Sequence, residues 1–171
     1  MSGSIRVGGR EVATDADSFV VAVGSYVDLL EASFSMVTMK PSELSPPQRA
    51  PHFDSTDQNY LALLHYLRVP PDSGTAFYRQ RSTAIERVTE DNLGAFVRTA
   101  QAEAAKLSSG SGYIQGSDDH FEQIGAVEAV PDRLIIYQGS LLHSGIIPRE
   151  MNFSADPREG RLTANLFVRA H

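Results

Sequence analysis

The chain has 171 residues, of which 42% are hydrophobic and 21% charged, a composition that supports one folded domain with a buried core and excludes an intrinsically disordered chain. It carries 15 basic and 21 acidic residues, a formal net charge of -6, which disfavours a sequence-independent nucleic-acid binder because such a protein needs a basic surface. It contains no cysteine, which excludes disulfides, cysteine-ligated metals and thiol catalysis.

The N-terminal segment and the apolar runs indicate where the protein is expected to work. Residues 1–17 are polar and glycine-rich, without the apolar core of a signal peptide, and predict a flexible leader before a single domain over residues 18–171. Apolar stretches such as Leu61–Leu64, which ends at His65, are far shorter than the roughly 20 residues of a membrane-spanning helix. We therefore expect a cytoplasmic protein that binds neither membrane nor nucleic acid; its oligomeric state is open, and a homodimer is one option.

The first elements of the domain are hard to assign, because their apolar residues fit both a helix and a strand. We expect a helix or turn at Val27–Ala32 and a strand over Phe34–Met39. Lys40–Pro51 predicts a loop, because its prolines lack the backbone donor that a strand ladder needs.

The middle of the chain predicts a hairpin and a helix. Tyr60–Val69 is a nearly continuous apolar run typical of a buried strand. The turn sequence Pro70–Gly74 joins it to a second predicted strand over Thr75–Ser82. Thr89–Leu107 carries a single apolar stripe at helical spacing, with acidic residues in its first turn, and predicts the long helix. Ser108–Gly112 is expected to end that helix.

The rest of the chain is β-like, with segments separated by proline and glycine. The predicted strands are Phe121–Val130, Arg133–Gln138, His143–Ile147 and Arg161–Arg169. The last of them alternates and places Arg161, Thr163, Asn165 and Phe167 on one face. Many short strands with one long helix predict a mainly β protein with a flanking helix, in the form of a double-stranded β-helix, the jelly roll of cupin-like proteins.

A His-x-Asp pair suggests a metal site. In an extended segment, His52 and Asp54 point the same way and present an imidazole nitrogen and a carboxylate oxygen to one point. A second imidazole would complete the two-histidine, one-carboxylate face of non-haem Fe(II) oxygenases, which leaves open positions on the metal. His143 is our candidate for that imidazole, and His120, in an acidic loop, is the alternative. A His-x-Asp pair without function is also common on protein surfaces.

An Arg-x-Thr pair on the last predicted strand suggests an anion site. Arg161 offers a planar fork to a carboxylate, and Thr163 adds a hydroxyl donor on the same face. An inward arginine without a partner is costly, so the pair favours a docked anionic ligand; the alternative is a strand-edge arginine in water. Tyr66 and Tyr78 are candidates for hydrogen bonds to a ligand, or are core aromatics with satisfied hydroxyls.

Taken together, these segments resemble a known enzyme family. The motifs that carry the resemblance occur in order over about Phe34 to Val168: Pro51-His52-Phe53-Asp54, Leu64–Leu67, Gly74–Phe77, Pro131–Tyr137, His143–Gly145 and Gly160–Thr163. The chain is similar to the Fe(II)/2-oxoglutarate-dependent dioxygenases of the prolyl-4-hydroxylase-like branch, and within it to a poorly characterised bacterial group. It departs from the family at Gly74, where one glycine stands in place of the usual two.

The resemblance implies a full set of ligands. His52, Asp54 and His143 would bind Fe(II), and Arg161 and Thr163 would hold the 5-carboxylate of the cosubstrate 2-oxoglutarate. O2 would take the last position on the metal, and the enzyme would hydroxylate an amino acid, a peptide or a small metabolite while 2-oxoglutarate yields succinate and CO2. The alternatives are a cupin-like isomerase or hydrolase that does not use 2-oxoglutarate, and a non-enzymatic jelly-roll binding module.

Overall fold

The computed structural model describes residues 4–7, 10–13, 27–104 and 112–171 of the chain. Over these residues the fold is mainly β, with one α-helix, α1 (Glu90–Ala104), and 3-10 turns at Pro41–Glu43 and Pro46–Arg49. The strands are β1 (Ser4–Val7), β2 (Arg10–Ala13), β3 (Val27–Met36), β4 (Tyr60–Arg68), β5 (Gly74–Gln80), β6 (Phe121–Glu128), β7 (Leu134–Gln138), β8 (His143–Ile146) and β9 (Leu162–Ala170). The expectation of a mainly β protein with a flanking helix is confirmed.

The strands form two antiparallel sheets and a separate hairpin. The larger sheet has the order β3-β9-β4-β7, the smaller has the order β6-β5-β8, and β1 pairs with β2. The two sheets face each other, since the Phe77 ring of β5 meets the Tyr137 ring of β7 edge-on, with 5.4 Å between centroids. On the free edge of β8, a backbone bridge joins His143 to His52.

Two predictions about the strands are wrong. Val27–Ala32, expected as a helix or turn, belongs to β3, which pairs with β9 along its length; the available partner strand decides such an ambiguous segment more than its own propensity does. The expected hairpin of β4 with β5 does not form, because the two strands lie in different sheets. The turn after Val69 therefore carries the chain from the larger sheet to the smaller.

Helix α1 covers the face of the smaller sheet that points away from the larger one. Its Phe96 packs in a core cluster with Tyr78 of β5 and with Leu142. The buried carboxylate of Glu103 accepts hydrogen bonds from Gln80 Nε2 at 2.9 Å and Ser82 Oγ at 2.7 Å, which fixes the end of the helix to the end of β5. The predicted helix end at residue 107 lies outside the described residues.

Further predictions concern the N-terminal segment, His65 and membrane-spanning helices. Strands β1 and β2 pair within the predicted leader, and the remainder of residues 1–17 lies outside the described residues, so the leader's flexibility stays a prediction. His65 lies in the run predicted as a buried strand, but it keeps 35% of its side chain exposed beside Asp132. Among the described residues, no helix has the length and apolar character that crossing a bilayer requires.

Candidate functional site

Backbone pairing places two of the predicted metal ligands side by side. The His52 N–H donates to the His143 carbonyl at 2.9 Å, and the His143 N–H donates back to the His52 carbonyl at 2.8 Å. Two residues further on, the Asp54 N–H donates to the Gly139 carbonyl at 2.7 Å. The segment from His52 to Asp54 is thus held in an extended form along β8 and the loop before it, and both of its side chains turn to the same side, as a strand's i and i+2 residues do.

The side chains of His52, Asp54 and His143 converge. Each offers one potential ligand atom, and these atoms lie within 4.8 Å of one another. His52 Nε2 is 4.0 Å from Asp54 Oδ1, and His143 Nε2 is 3.7 Å from Asp54 Oδ2. These separations are too long for hydrogen bonds. Three acceptor atoms therefore point at a common space without bonding one another.

The electrostatics leave all three groups ready to accept a cation. His143 Nδ1 donates to the Leu141 carbonyl at 2.8 Å, which leaves Nε2 with its lone pair toward the site. Burial lowers the pKa of His143 to about 4; burial, followed by the neighbouring His143, lowers that of His52 to about 4, although Asp54 opposes this. Burial also raises the pKa of Asp54, whose Oδ2 has no hydrogen-bond partner among the described residues.

A cavity of about 540 Å³ opens at these three side chains and runs between the two sheets. The alternate residues that the sequence placed on one face of the last strand line its wall: Arg161, Thr163, Asn165 and Phe167. The predicted alternation is therefore confirmed. The three potential metal ligands and Arg161 share a single cavity, and Thr163, which is 1% exposed, lies on its wall.

Arg161 is a buried cation that makes no ion pair among the described residues. The residue is 7% exposed, and its Nε makes no hydrogen bond among the described residues. Its guanidinium lies 5.8 Å from the centroid of the Tyr66 ring, a cation–π distance. Burial lowers the pKa of Arg161, and Tyr66 acts in the opposite direction. A guanidinium stays protonated in this setting, so the cavity holds an unpaired positive charge that suits an anion.

The two predicted tyrosines have different positions. Tyr66 contacts the Arg161 guanidinium from below, and its hydroxyl shares a 2.7 Å hydrogen bond with Thr75 Oγ1. Tyr66 therefore positions the arginine and does not line the cavity wall. Tyr78 is not part of the site: it packs in the core cluster under α1, where burial raises the pKa of its hydroxyl to about 12. Tyr78 follows Phe77 on β5 and lies on the opposite face of the smaller sheet from the Phe77 ring, which contacts Tyr137 of the larger sheet.

The alternative metal ligand, His120, is not in the cluster. Its side chain is 24% exposed, with Nδ1 3.9 Å from Oε1 of the buried Glu103. His120 thus belongs to the network that holds the end of α1 against β5, on the other side of the smaller sheet.

Tyr137 and Asn165 lie on the cavity wall, although neither was named from the sequence as a candidate site residue. The Tyr137 ring meets the His143 ring edge-on, with 4.8 Å between centroids, and burial raises the pKa of Tyr137. Asn165 lines the wall with Oδ1 unbonded among the described residues. Asn165 was recoverable, because it shares the face of Arg161 and Thr163. Tyr137 was not, since the inward face of β7 follows only from its pairing with β4.

Comparison with known proteins finds one family. A family model described as "Family of unknown function (DUF6445)" matches residues 14–168. No curated protein matches the chain, and no solved structure does. The matched range includes every residue of the cavity wall named above.

Proposed function

This chain belongs to the DUF6445 family, whose function is unknown, and we propose that it is a non-haem Fe(II)/2-oxoglutarate-dependent oxygenase that hydroxylates an amino acid, a peptide or a small metabolite. The observation that carries the proposal is the convergence of His52, Asp54 and His143 in the cavity that also holds Arg161. A metal site and a separate cation in one cavity fit an anionic cosubstrate that reaches the metal.

The donor set fits a ferrous ion. Two neutral imidazoles and one carboxylate form the facial triad of non-haem Fe(II) oxygenases, and they leave metal positions free for other ligands. The unbonded Asp54 Oδ2 supports this, because a buried carboxylate oxygen without a donor is costly unless a cation occupies the space before it. The hydrogen bond from His143 to the Leu141 carbonyl orients the ring for ligation, as outer-shell bonds of metal-bound histidines do.

Arg161 and Thr163 fit the distal carboxylate of 2-oxoglutarate. The guanidinium supplies a planar fork and the buried Thr163 supplies a hydroxyl donor. The Tyr66 ring below the guanidinium holds it in place without neutralising it. When bound, Fe(II) and 2-oxoglutarate supply the oxidation: 2-oxoglutarate, O2 and a substrate C–H become succinate, CO2 and a C–OH.

The strand order supports the jelly-roll form of the fold. In an eight-stranded jelly roll, one sheet runs first, last, third and sixth strand, and the other runs fifth, fourth, seventh and second. The larger sheet, β3-β9-β4-β7, has the first of these orders. The smaller sheet, β6-β5-β8, matches the fifth, fourth and seventh strands of the other order and lacks only the second. The segment bridged to β8 at His52 then takes the place of the second strand.

The test is succinate formation by protein purified without oxygen and loaded with Fe(II). We expect metal binding by the parent protein, and succinate production that requires Fe(II), 2-oxoglutarate and O2. His143→Ala should abolish both, whereas His120→Ala, at the alternative ligand outside the cluster, should keep them.

Three outcomes would contradict the proposal. A protein that binds Fe(II) but never decarboxylates 2-oxoglutarate points to a cupin-like enzyme of another reaction class. A protein that binds no metal points to a binding module. Succinate formation that survives His143→Ala would place the metal elsewhere.

A further inference from the structure

The charge of the cavity limits what its substrate can be. Among the described residues that line it, Asp54 is the only carboxylate and Arg161 the only arginine or lysine, and the two histidines, His52 and His143, belong to the proposed metal site. The proposed function uses Asp54 for the metal and Arg161 for the cosubstrate. The other polar groups of the wall are hydroxyls and amides. An ionised substrate group in this space would have no counter-charge, which is costly in a desolvated site.

Asn165 supplies an unused hydrogen-bond acceptor. Its Nδ2 donates to Ser35 Oγ at 2.6 Å, and its Oδ1, on a residue that lines the cavity, is buried and has no donor among the described residues. A buried acceptor of this kind is satisfied by a ligand that brings an N–H or O–H. Ionised 2-oxoglutarate has only acceptor oxygens, so the cosubstrate cannot provide this hydrogen bond.

Much of the rest of the cavity wall is apolar. Val37, Met39, Leu44 and Ile147 line it, with Phe167 next to Asn165 on the same strand face. The Tyr113 hydroxyl donates to the Met39 carbonyl at 2.9 Å, so it stabilises the backbone of the wall. The cavity volume of about 540 Å³ lies in the range of small-molecule sites.

We propose that the substrate group bound here is uncharged and largely apolar, and that it donates one N–H or O–H to Asn165 Oδ1. Asn165 is then a specificity-determining residue. The proposal rests on the proposed function, because it assigns Asp54 and Arg161 to the metal and the cosubstrate.

The first test uses matched probes in the succinate assay. N-acetyl-leucinamide is neutral, N-acetyl-leucine is an anion and leucinamide is a cation, and the corresponding valine, proline and phenylalanine compounds complete the panel. We expect at least one neutral compound to raise succinate formation above the rate without substrate, and its charged counterparts to have about tenfold less effect or none. Stimulation by a charged member over its neutral counterpart, or by no neutral member, overturns the proposal.

The second test changes Asn165. Asn165→Leu, similar in volume, should raise the KM for the stimulating neutral compound about tenfold, the loss expected for one hydrogen bond in a buried site. Asn165→Asp keeps the acceptor and adds a negative charge, so it should shift the preference toward the cationic amide. Asn152→Leu, an exposed position off the cavity wall, should leave both unchanged.

The outcomes separate this proposal from the proposed function. Unchanged KM and preference in both Asn165 variants reject the role of Asn165 while succinate formation by the parent still supports the oxygenase. Absence of succinate formation by the iron-loaded parent rejects the oxygenase, and the assignment of the substrate with it.

Discussion

The position of Asp54 suits metal binding but lowers the stability of the metal-free protein. It is 15% exposed, its Oδ2 has no donor among the described residues, and burial raises its pKa. Because a raised carboxyl pKa means that the folded state disfavours the charge, this group destabilises the metal-free protein above the raised pKa, and the cost fades as the pH falls from there toward the ordinary value of 3.8. A cation between the three ligands would offset the same cost.

We therefore predict opposite effects of Asp54→Asn on metal binding and on stability. The variant should lose at least about 100-fold in Fe(II) or Mn(II) affinity, because the anionic ligand is gone. In chelator at pH 7 it should be more stable than the parent by about 1 kcal/mol, because a neutral amide is less costly to bury than a carboxylate. Anaerobic titration and thermal unfolding measure the two effects.

Asp119→Asn is the matched control, since Asp119 is exposed and outside the cluster. It should change neither the metal affinity nor the melting temperature. An Asp54→Asn protein that binds metal like the parent would show that Asp54 is not a ligand.

Arg161 is the corresponding residue for the cosubstrate. Arg161→Ala should weaken 2-oxoglutarate binding about 100-fold, the value of a bidentate charge-assisted contact, and should affect metal affinity much less. Arg161→Lys keeps the charge without the fork and should fall between the two. Titrations with 2-oxoglutarate and with Mn(II), measured separately, give the two affinities.

Arg158→Ala, at an 86% exposed arginine, controls for loss of surface charge and should bind 2-oxoglutarate normally. Equal binding of 2-oxoglutarate by the Arg161→Ala variant and the parent is the result that would refute this role.

At the scale of elements, β9 connects the fold to the site. It pairs with β3 on one side and β4 on the other, while its inward residues line the cavity. The chain enters it through Gly160, where an added Cβ would lie 2.3 Å from the Ser154 carbonyl oxygen and 2.7 Å from Met36 Cε. No side chain fits this close approach of two backbone segments, so the entry to β9 and the placement of Arg161 depend on a glycine.

We predict that Gly160→Ala destabilises the protein by about 2 kcal/mol, the usual cost of forcing an extra carbon into packed structure, and weakens 2-oxoglutarate binding by displacing Arg161. Gly125→Ala is the matched control, because an added Cβ there meets nothing within 4 Å; it should be neutral or slightly stabilising. Denaturant unfolding of the two variants decides this, and equal stability would contradict the steric argument.

At the scale of the whole molecule, the proposed metal joins parts of the chain that are far apart in sequence. His52 and Asp54 come before β4 in the chain, whereas His143 is the first residue of β8. A ligand that binds only the folded arrangement stabilises it by mass action.

Mn(II) at about 100 times its Kd should therefore stabilise the protein by about 2.7 kcal/mol, which corresponds to roughly 5–10 °C in melting temperature for a chain of this size. Chelator should reverse the gain, and His143→Ala should show none. A melting temperature that does not respond to Mn(II) in the parent protein would count against a metal site at these residues.

The sequence by itself determined what depends on local geometry. The common direction of His52 and Asp54, and the face shared by Arg161, Thr163 and Asn165, follow from the period-two alternation of extended chain. The apolar stripe of α1 follows from the helical period in the same way. These features need no knowledge of what lies opposite them.

Only the tertiary structure decided which segments meet. Pairing across the chain brings His143 beside His52, separates β4 from β5, and turns Tyr137 into the cavity while Tyr78 goes to the core. Such pairings depend on the apolar surface that all strands bury together. That quantity belongs to the whole fold, so no local pattern in the sequence contains it.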